Sequence, residues 1–287
     1  MKHHATDRFL AEHPELLSEE NPTSWDAVRL LSQLAAPLDR YFRFQHRGWE
    51  NVPEGACLFV VNHSIGAIPE ILLLLRAWYQ RFGERPARGL GHQVLWQGPV
   101  KWARIEKIGA ALAHPEVARR ALSRGETLVV FPGGDAETCR PFAHRYQVSL
   151  GGRTGFAKLA RQTRTPIVPA VLCGSHATYI MLPGAEHFAR WSRVGRFFGL
   201  KAFPLTAGCV GVLSAALATL VFPPAFPLFG AAWLQSILPL PARIEMEVLP
   251  PIHPHPEETD EALAERVRVA MQEAMDRLAA QRKTPWW

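Results

Sequence analysis

Residues Cys57 to Glu70 read CLFVVNHSIGAIPE, and the break after Val61 decides the fold. The β-branched and aromatic run Leu58 to Val61 has the length and composition of a buried strand. It stops at Asn62 and His63, passes through small residues, and meets Pro69, which suits the first turn of a helix because its missing N–H has no helical partner there. The run Ile71 to Phe82 continues that helix. A strand-loop-helix junction therefore carries one imidazole at the edge of a sheet, where α/β folds place their chemistry.

Working outward, Val129 to Glu137 reads VVFPGGDAE, a second apolar strand that runs into a Pro-Gly-Gly turn. If the two strands are neighbours in one parallel sheet, both turns emerge at the same end. Histidine has the side-chain pKa nearest neutrality, so His63 at a strand end is suited to general-base work. Alone it reads more readily as a loop histidine hydrogen-bonded into a turn. The second turn supplies what the first lacks, since Gly133 and Gly134 allow positive φ and close approach of backbone N–H groups to an oxygen.

Taken together, Asn62-His63, Phe131-Pro132-Gly133-Gly134 and Pro166-Ile167-Val168-Pro169 resemble three ordered blocks of the glycerolipid acyltransferases, which include the 1-acylglycerol-3-phosphate acyltransferases. The resemblance extends from about Tyr41 to Ile252. It implies an α/β fold with a mixed, largely parallel sheet flanked by helices, and transfer of an acyl group from a thioester to a lipid hydroxyl with His63 as base.

The chain departs from the family pattern at several places. The family's carboxylate stands five positions after the histidine, where this chain has Ile68; the nearest acid is Glu70, expected to fold back and orient the His63 ring. In Ile108 to Glu116, IGAALAHPE, His114 stands near a customary arginine. Gly134, Asp135 and Ala136 replace the Glu and the Thr-Arg of the third block. A phosphate on the acceptor calls for a bidentate donor such as arginine, so these losses favour the diacylglycerol-acyltransferase-like branch, whose acceptors are neutral lipid alcohols. Glu137, Arg140 and the segment Gly151 to Lys158, GGRTGFAK, also resemble that branch, although Arg153 retains a means of gripping a phosphate.

The expected catalytic pair is thus His63 and Glu70, and the expected substrate-binding set is Asn62, Ser64, Gly133, Gly134, Glu137, Arg140 and Arg153. Asn62 would fix the loop, and the glycine turn with Arg140 or Arg153 would hold donor phosphates or the oxyanion. A surface ion pair is the plainer reading of Glu137 and Arg140, and a structural role that of His176. No metal or cofactor is expected beyond the co-substrate, acyl-CoA or acyl carrier protein. No Gly-x-Ser-x-Gly elbow supports a serine esterase. A lysophospholipid acyltransferase and a non-catalytic lipid or acyl-thioester binding protein are the competing functions, the latter motivated by Ile68.

Composition fits one catalytic unit. The chain has 287 residues, 48% of them apolar, enough for a large core, and no internal repeat. Its net charge of +6 suits an anionic membrane surface, and no nucleic-acid-binding signature accompanies it. The four cysteines are widely spaced, without a disulfide or zinc pattern, which fits a reducing cytoplasm. The amino terminus lacks the apolar core of a secretory signal.

The expected layout is a helical segment over 1–40, an acyltransferase domain over 41–256 and a carboxy-terminal helix over 257–287. Ser24 caps a first helix bearing Val28, Leu31, Leu34 and Leu38, bent or shortened at Pro37, which either packs on the core or lies on lipid. Phe188, Trp191, Val194 and Phe198 fall near one side of a possible helix and Arg190, Arg193 and Arg196 elsewhere, as on an interfacial basic helix, with a solvated charged face as the competing reading. From 202 to 242 there is no Asp, Glu, Lys or Arg. This apolar insertion is expected to associate with a membrane as a re-entrant hairpin broken at Pro223-Pro224 or a flap over an acyl tunnel, with a buried core hairpin as the alternative. A single crossing is disfavoured because the strand pattern of Arg243 to Val248 must rejoin the sheet. These features place the protein at the cytoplasmic face of a membrane. The Trp286-Trp287 end is a further interfacial candidate.

Overall fold

A computed structural model of the chain describes residues 2–17, 23–64, 67–96, 104–191, 206–222 and 238–287. Seven strands form one sheet: β1 (Gln45–Arg47), β2 (Leu58–Val61), β3 (Ala87–Gly91), β4 (Ala110–Leu112), β5 (Thr127–Val130), β6 (Ile167–Cys173) and β7 (Glu245–Val248), in the order β1-β7-β6-β2-β5-β3-β4. All neighbours pair in parallel except β6 and β7, which are antiparallel, so the sheet is mixed and largely parallel.

β2 lies between β5 and β6, with Phe59 opposite both Val129 and Val168. A parallel strand covered on both faces must be apolar throughout, which explains the unbroken LFVV run. Leu58 and Val60 enter one core with α5 (Pro115–Ser123), α7 (Gly155–Thr163) and the terminal helix; Phe59 and Val61 enter the other with Leu73, Leu74 and Trp78 of α4 (Ala67–Phe82). The result is three layers, helices on each face of the sheet.

Near the amino end, α1 (Lys2–Glu12) lays Phe9 and Leu10 against Leu112 and Val117. Ser24 caps α2 (Trp25–Leu34) as its position predicts, accepting the Ala27 N–H at 3.3 Å. Of the two expected outcomes at Pro37 the helix is shortened: the chain turns at Ala35 and restarts as α3 (Ala36–Tyr41), with Pro37 in the first turn. Val28, Ser32 and Ala35 form the buried side and Leu38 packs on the core, while Leu34 of the expected stripe faces outward with Leu30. His46 and Trp49 are packing residues, joined by a 2.7 Å Nε1–H to Nδ1 hydrogen bond.

Beyond β5 come the short α6 (Gly134–Thr138) and, after β6, α8 (Ala185–Trp191) and α9 (Ala207–Val221). No helix among the described residues is long and apolar enough to cross a membrane. At 15 residues α9 extends about 22 Å, short of the ~30 Å hydrocarbon core. The basic pattern beyond Trp191 and the Pro223-Pro224 break lie outside the described residues, as do the side chains of Phe188 and Arg190.

The last helix, α10 (Asp260–Ala280), buries Leu263, Val267, Met271 and Leu278 against the sheet, the same four residues that its sequence period selects. It is an integral wall of the core. The terminal tryptophans also serve the chain itself: Trp286 donates to the Ala177 carbonyl at 3.0 Å and stacks on Phe142, and Trp287 packs under Arg43.

Candidate active site

The carboxyl ends of β2 and β5 deliver the two turns side by side, as their register requires. His63 is half-buried, and its ring lies edge-on to Phe131 with centroids 4.8 Å apart. Burial pushes the His63 imidazole down to about 4, with the nearby Arg153 acting in the same direction and the Ser64 backbone opposing. At neutral pH the ring is therefore uncharged and keeps a lone pair for a proton.

Asn62 is fully buried and fixes the loop through two hydrogen bonds to β6: its Nδ2 donates to the Leu172 carbonyl at 3.1 Å and its Oδ1 accepts the Leu172 N–H at 2.8 Å. Two opposed bonds to one residue define both the position and the direction of the strand end. Substrate contact by Asn62 is not compatible with that burial.

Glu70, in the first turn of α4, points at Ser64 and not at the His63 ring. Its carboxylate accepts the Ser64 N–H at 3.0 and 3.2 Å and the Ser64 hydroxyl. Burial raises the Glu70 carboxyl, and the Ser64 hydroxyl and N–H and the Ser175 hydroxyl counter it. The expected Glu70–His63 contact is thus replaced by an indirect one, from Glu70 to the residue that follows the histidine. Ser64, buried, is engaged by this carboxylate.

Only one of the two turn glycines needs its backbone freedom. Gly134 adopts φ +54°, in the left-handed region, whereas Gly133 is required for space: a Cβ there would collide with the Glu137 carboxylate and come within 2.5 Å of the Ser149 carbonyl. Exposed Arg153 lies across the turn, where a Gly134 side chain would stand, and donates from Nη1 to the Pro132 carbonyl at 3.0 Å.

Glu137 and Arg140 pair at 3.7 Å, but they do so in the interior, with exposures of 0% and 7%, so the surface reading is corrected. The Glu137 Oε2 accepts the His63 N–H at 3.4 Å, linking the two turns. Burial raises the Glu137 carboxyl to about 8, opposed first by Arg140. Burial likewise lowers Arg140.

His176, read from sequence as structural, lies buried beside this group and next to His63. Burial holds its ring well below the ordinary histidine value, reinforced by Arg140 and His63. Its distance of more than a hundred residues from His63 hides this proximity in the sequence; the signal was its place directly after β6, a neighbour of β2. His114 is placed elsewhere. It caps α5 by accepting the Glu116 N–H at Nδ1, and its Nε2 meets Asp7 at 3.0 Å.

An acyltransferase family profile matches residues 43–173, a range that includes both turns and ends with β6. An uncharacterized protein of Mycobacterium tuberculosis is 31% identical over 268 residues, covering 88% of this chain and 67% of its own length. The chain belongs to the acyltransferase family that this profile describes. A chicken (Gallus gallus) protein named DGAT1/2-independent enzyme synthesizing storage lipids is 28% identical over 127 residues, 44% of this chain and 37% of that protein. Among solved structures, the 1-acyl-sn-glycerophosphate (LPA) acyltransferase PlsC from Thermotoga maritima shares the fold. Its TM-score is 0.54 at 17% identity, over 88% of this chain and 81% of that one.

In this acyltransferase the histidine block and the glycine turn occupy the carboxyl edge of the parallel strands, the usual binding edge of an open α/β sheet. At that edge Glu70 bonds Ser64, and Glu137 reaches the His63 N–H from the segment after β5.

Proposed function

We propose that the chain transfers a fatty acyl group from an acyl thioester, acyl-CoA or acyl carrier protein, to the hydroxyl of a glycerolipid or other lipid alcohol. The observation that carries this reading is the His63 ring set edge-on to Phe131 at the start of the Pro-Gly-Gly turn. In the proposed step His63 takes the proton of the acceptor hydroxyl as its oxygen attacks the thioester carbonyl. The tetrahedral oxyanion forms near the glycine turn and collapses by breaking the C–S bond. The proton on His63 then passes to the departing thiolate, so no covalent enzyme intermediate is required. Exposed Arg153 is the cation placed to meet donor phosphates.

The preference for a neutral acceptor rests on the missing third-block Thr-Arg and gains weight from the similarity to the storage-lipid enzyme. Exposed Arg153 favours the second reading, a lysophospholipid or 1-acylglycerol-3-phosphate acyltransferase. Radiolabelled palmitoyl-CoA offered with diacylglycerol or with lysophosphatidate separates the two by the labelled product. His63→Ala is expected to abolish product formation with either; wild-type turnover in that variant would point to a different base, and absence of product from the wild type itself would leave a non-catalytic lipid or acyl-thioester binding role.

We further propose that the protein works at the cytoplasmic face of a membrane. The support is α9, whose outer side exposes Leu217, Leu220, Val221 and Phe222 without one charged residue in the helix. The net charge of +6 adds attraction to anionic lipid.

A further inference from the structure

We propose that Glu137 is a positioning residue for His63: from the helix after β5 its carboxylate holds the main-chain N–H of the histidine after β2, and buried Arg140 serves as its counter-ion. The inference rests on the reading of His63 as general base and reassigns the Glu137–Arg140 pair from substrate contact to placement of that base.

The geometry argues against substrate contact. Glu137 is fully enclosed and Arg140 is 7% exposed, so neither presents its polar atoms to a bound lipid or thioester. The carboxylate instead runs beneath the glycine turn. Its Oε2 reaches His63 N at 3.4 Å, and it fills the space that a Gly133 side chain would need. The same short segment is tied locally, Glu137 N–H to the Gly133 carbonyl at 3.4 Å and Arg140 N–H to the Glu137 carbonyl at 3.1 Å. One side chain thus joins the backbone of the base to the turn proposed to receive the oxyanion.

Arg140 is explained by charge. A carboxylate taken out of water needs compensation, and a guanidinium 3.7 Å away supplies it without a short hydrogen bond. The Glu137 Oε1 and the Arg140 Nε, Nη1 and Nη2 make no hydrogen bond among the described residues, as expected for a counter-charge and not for a bidentate clamp. Burial raises the carboxyl and lowers the guanidinium, each opposed by the other.

The test uses the full chain with Glu137→Gln, Glu137→Ala, Arg140→Met and the double variant Glu137→Gln/Arg140→Met. Assays use palmitoyl-CoA and whichever acceptor the wild type acylates. The Gln oxygen still accepts the His63 N–H, so Glu137→Gln keeps kcat within about threefold. Glu137→Ala lowers kcat by about 10- to 100-fold, the scale of a small misplacement of a catalytic group, with KM for palmitoyl-CoA unchanged. Arg140→Met alone impairs kcat because Glu137, raised further without its counter-ion, binds a proton that competes for the oxygen facing the His63 N–H, and the double variant, whose amide does not titrate, returns to the Glu137→Gln level.

Independently of turnover, the His63 ring resonance in histidine-labelled protein, assigned by its loss in His63→Ala, shifts in Glu137→Ala and stays in place in Glu137→Gln. Thermal melts identify a variant that fails to fold; if Glu137→Ala does, Arg140→Met and its recovery in the double variant decide. A raised KM at unchanged kcat, a wild-type kcat in Glu137→Ala, or no recovery in the double variant overturns the assignment. An active His63→Ala defeats the general-base reading itself; an inactive His63→Ala beside a fully active Glu137→Ala defeats only the positioning role.

Discussion

At the scale of single residues the site depends on a histidine that stays neutral. With the imidazole pushed down to about 4, the acid limb of kcat/KM against pH is expected near that value, with a plateau from about pH 5 to 8; a limb near 6.5 would show that the ring is not held in this environment. Stability carries the same signature. The unfolded chain protonates His63 below about 6.5 while the folded chain does not, so this residue's contribution to stability is complete above that pH and declines as pH falls toward 4. A second expectation concerns Gly133→Ala: the new methyl group strikes Glu137 and the Ser149 backbone, and a urea melt should show a loss on the order of 1–3 kcal/mol. Gly134→Ala is strained for the different reason of its positive φ.

At the scale of elements, the end of β2 is held from both flanks. On one side Asn62 is bonded at both ends of its amide to Leu172 of β6, and on the other Glu137 reaches across from the segment after β5. Asn62→Leu would leave the Leu172 N–H and carbonyl buried without their side-chain partner, and its cost by equilibrium unfolding is expected at about 2 kcal/mol or more. The same variant should slow turnover, because the strand end that carries His63 loses its tether. For α9, the membrane proposal gives a separable outcome. Leu217→Glu with Leu220→Glu, both at exposed positions, should reduce co-sedimentation with anionic liposomes while leaving the thermal midpoint within about 2 °C. Unchanged liposome binding would move the lipid contact to another surface.

At the scale of the whole molecule, one sheet and two cores are closed by elements from opposite ends of the chain. Met271 and Leu263 of α10 are fully buried with residues of β2 and β6, so Met271→Ala is expected to cost about 2–5 kcal/mol in a urea unfolding curve. Much of this architecture was legible beforehand: the LFVV strand, the helix that follows Pro69, the four buried positions of α10 and the meeting of the two turns all follow from local apolar period and from Pro and Gly placement. These signals are local, and they survive in the sequence because each strand or helix must hide its own apolar side. The partners of polar side chains were not legible in this way. Glu70 turned to Ser64 and not to His63, the Glu137–Arg140 pair went inside and not to the surface, and His176 arrived beside His63 from a distant strand. Leu34 faces outward although its spacing put it on one stripe with the buried Val28. By itself the sequence determined the α/β class, the family and the histidine. Only the folded sheet, by choosing β5 and β6 as the neighbours of β2, decided which buried charges face that histidine, because hydrogen bonds between strands join residues that no chain-local pattern relates.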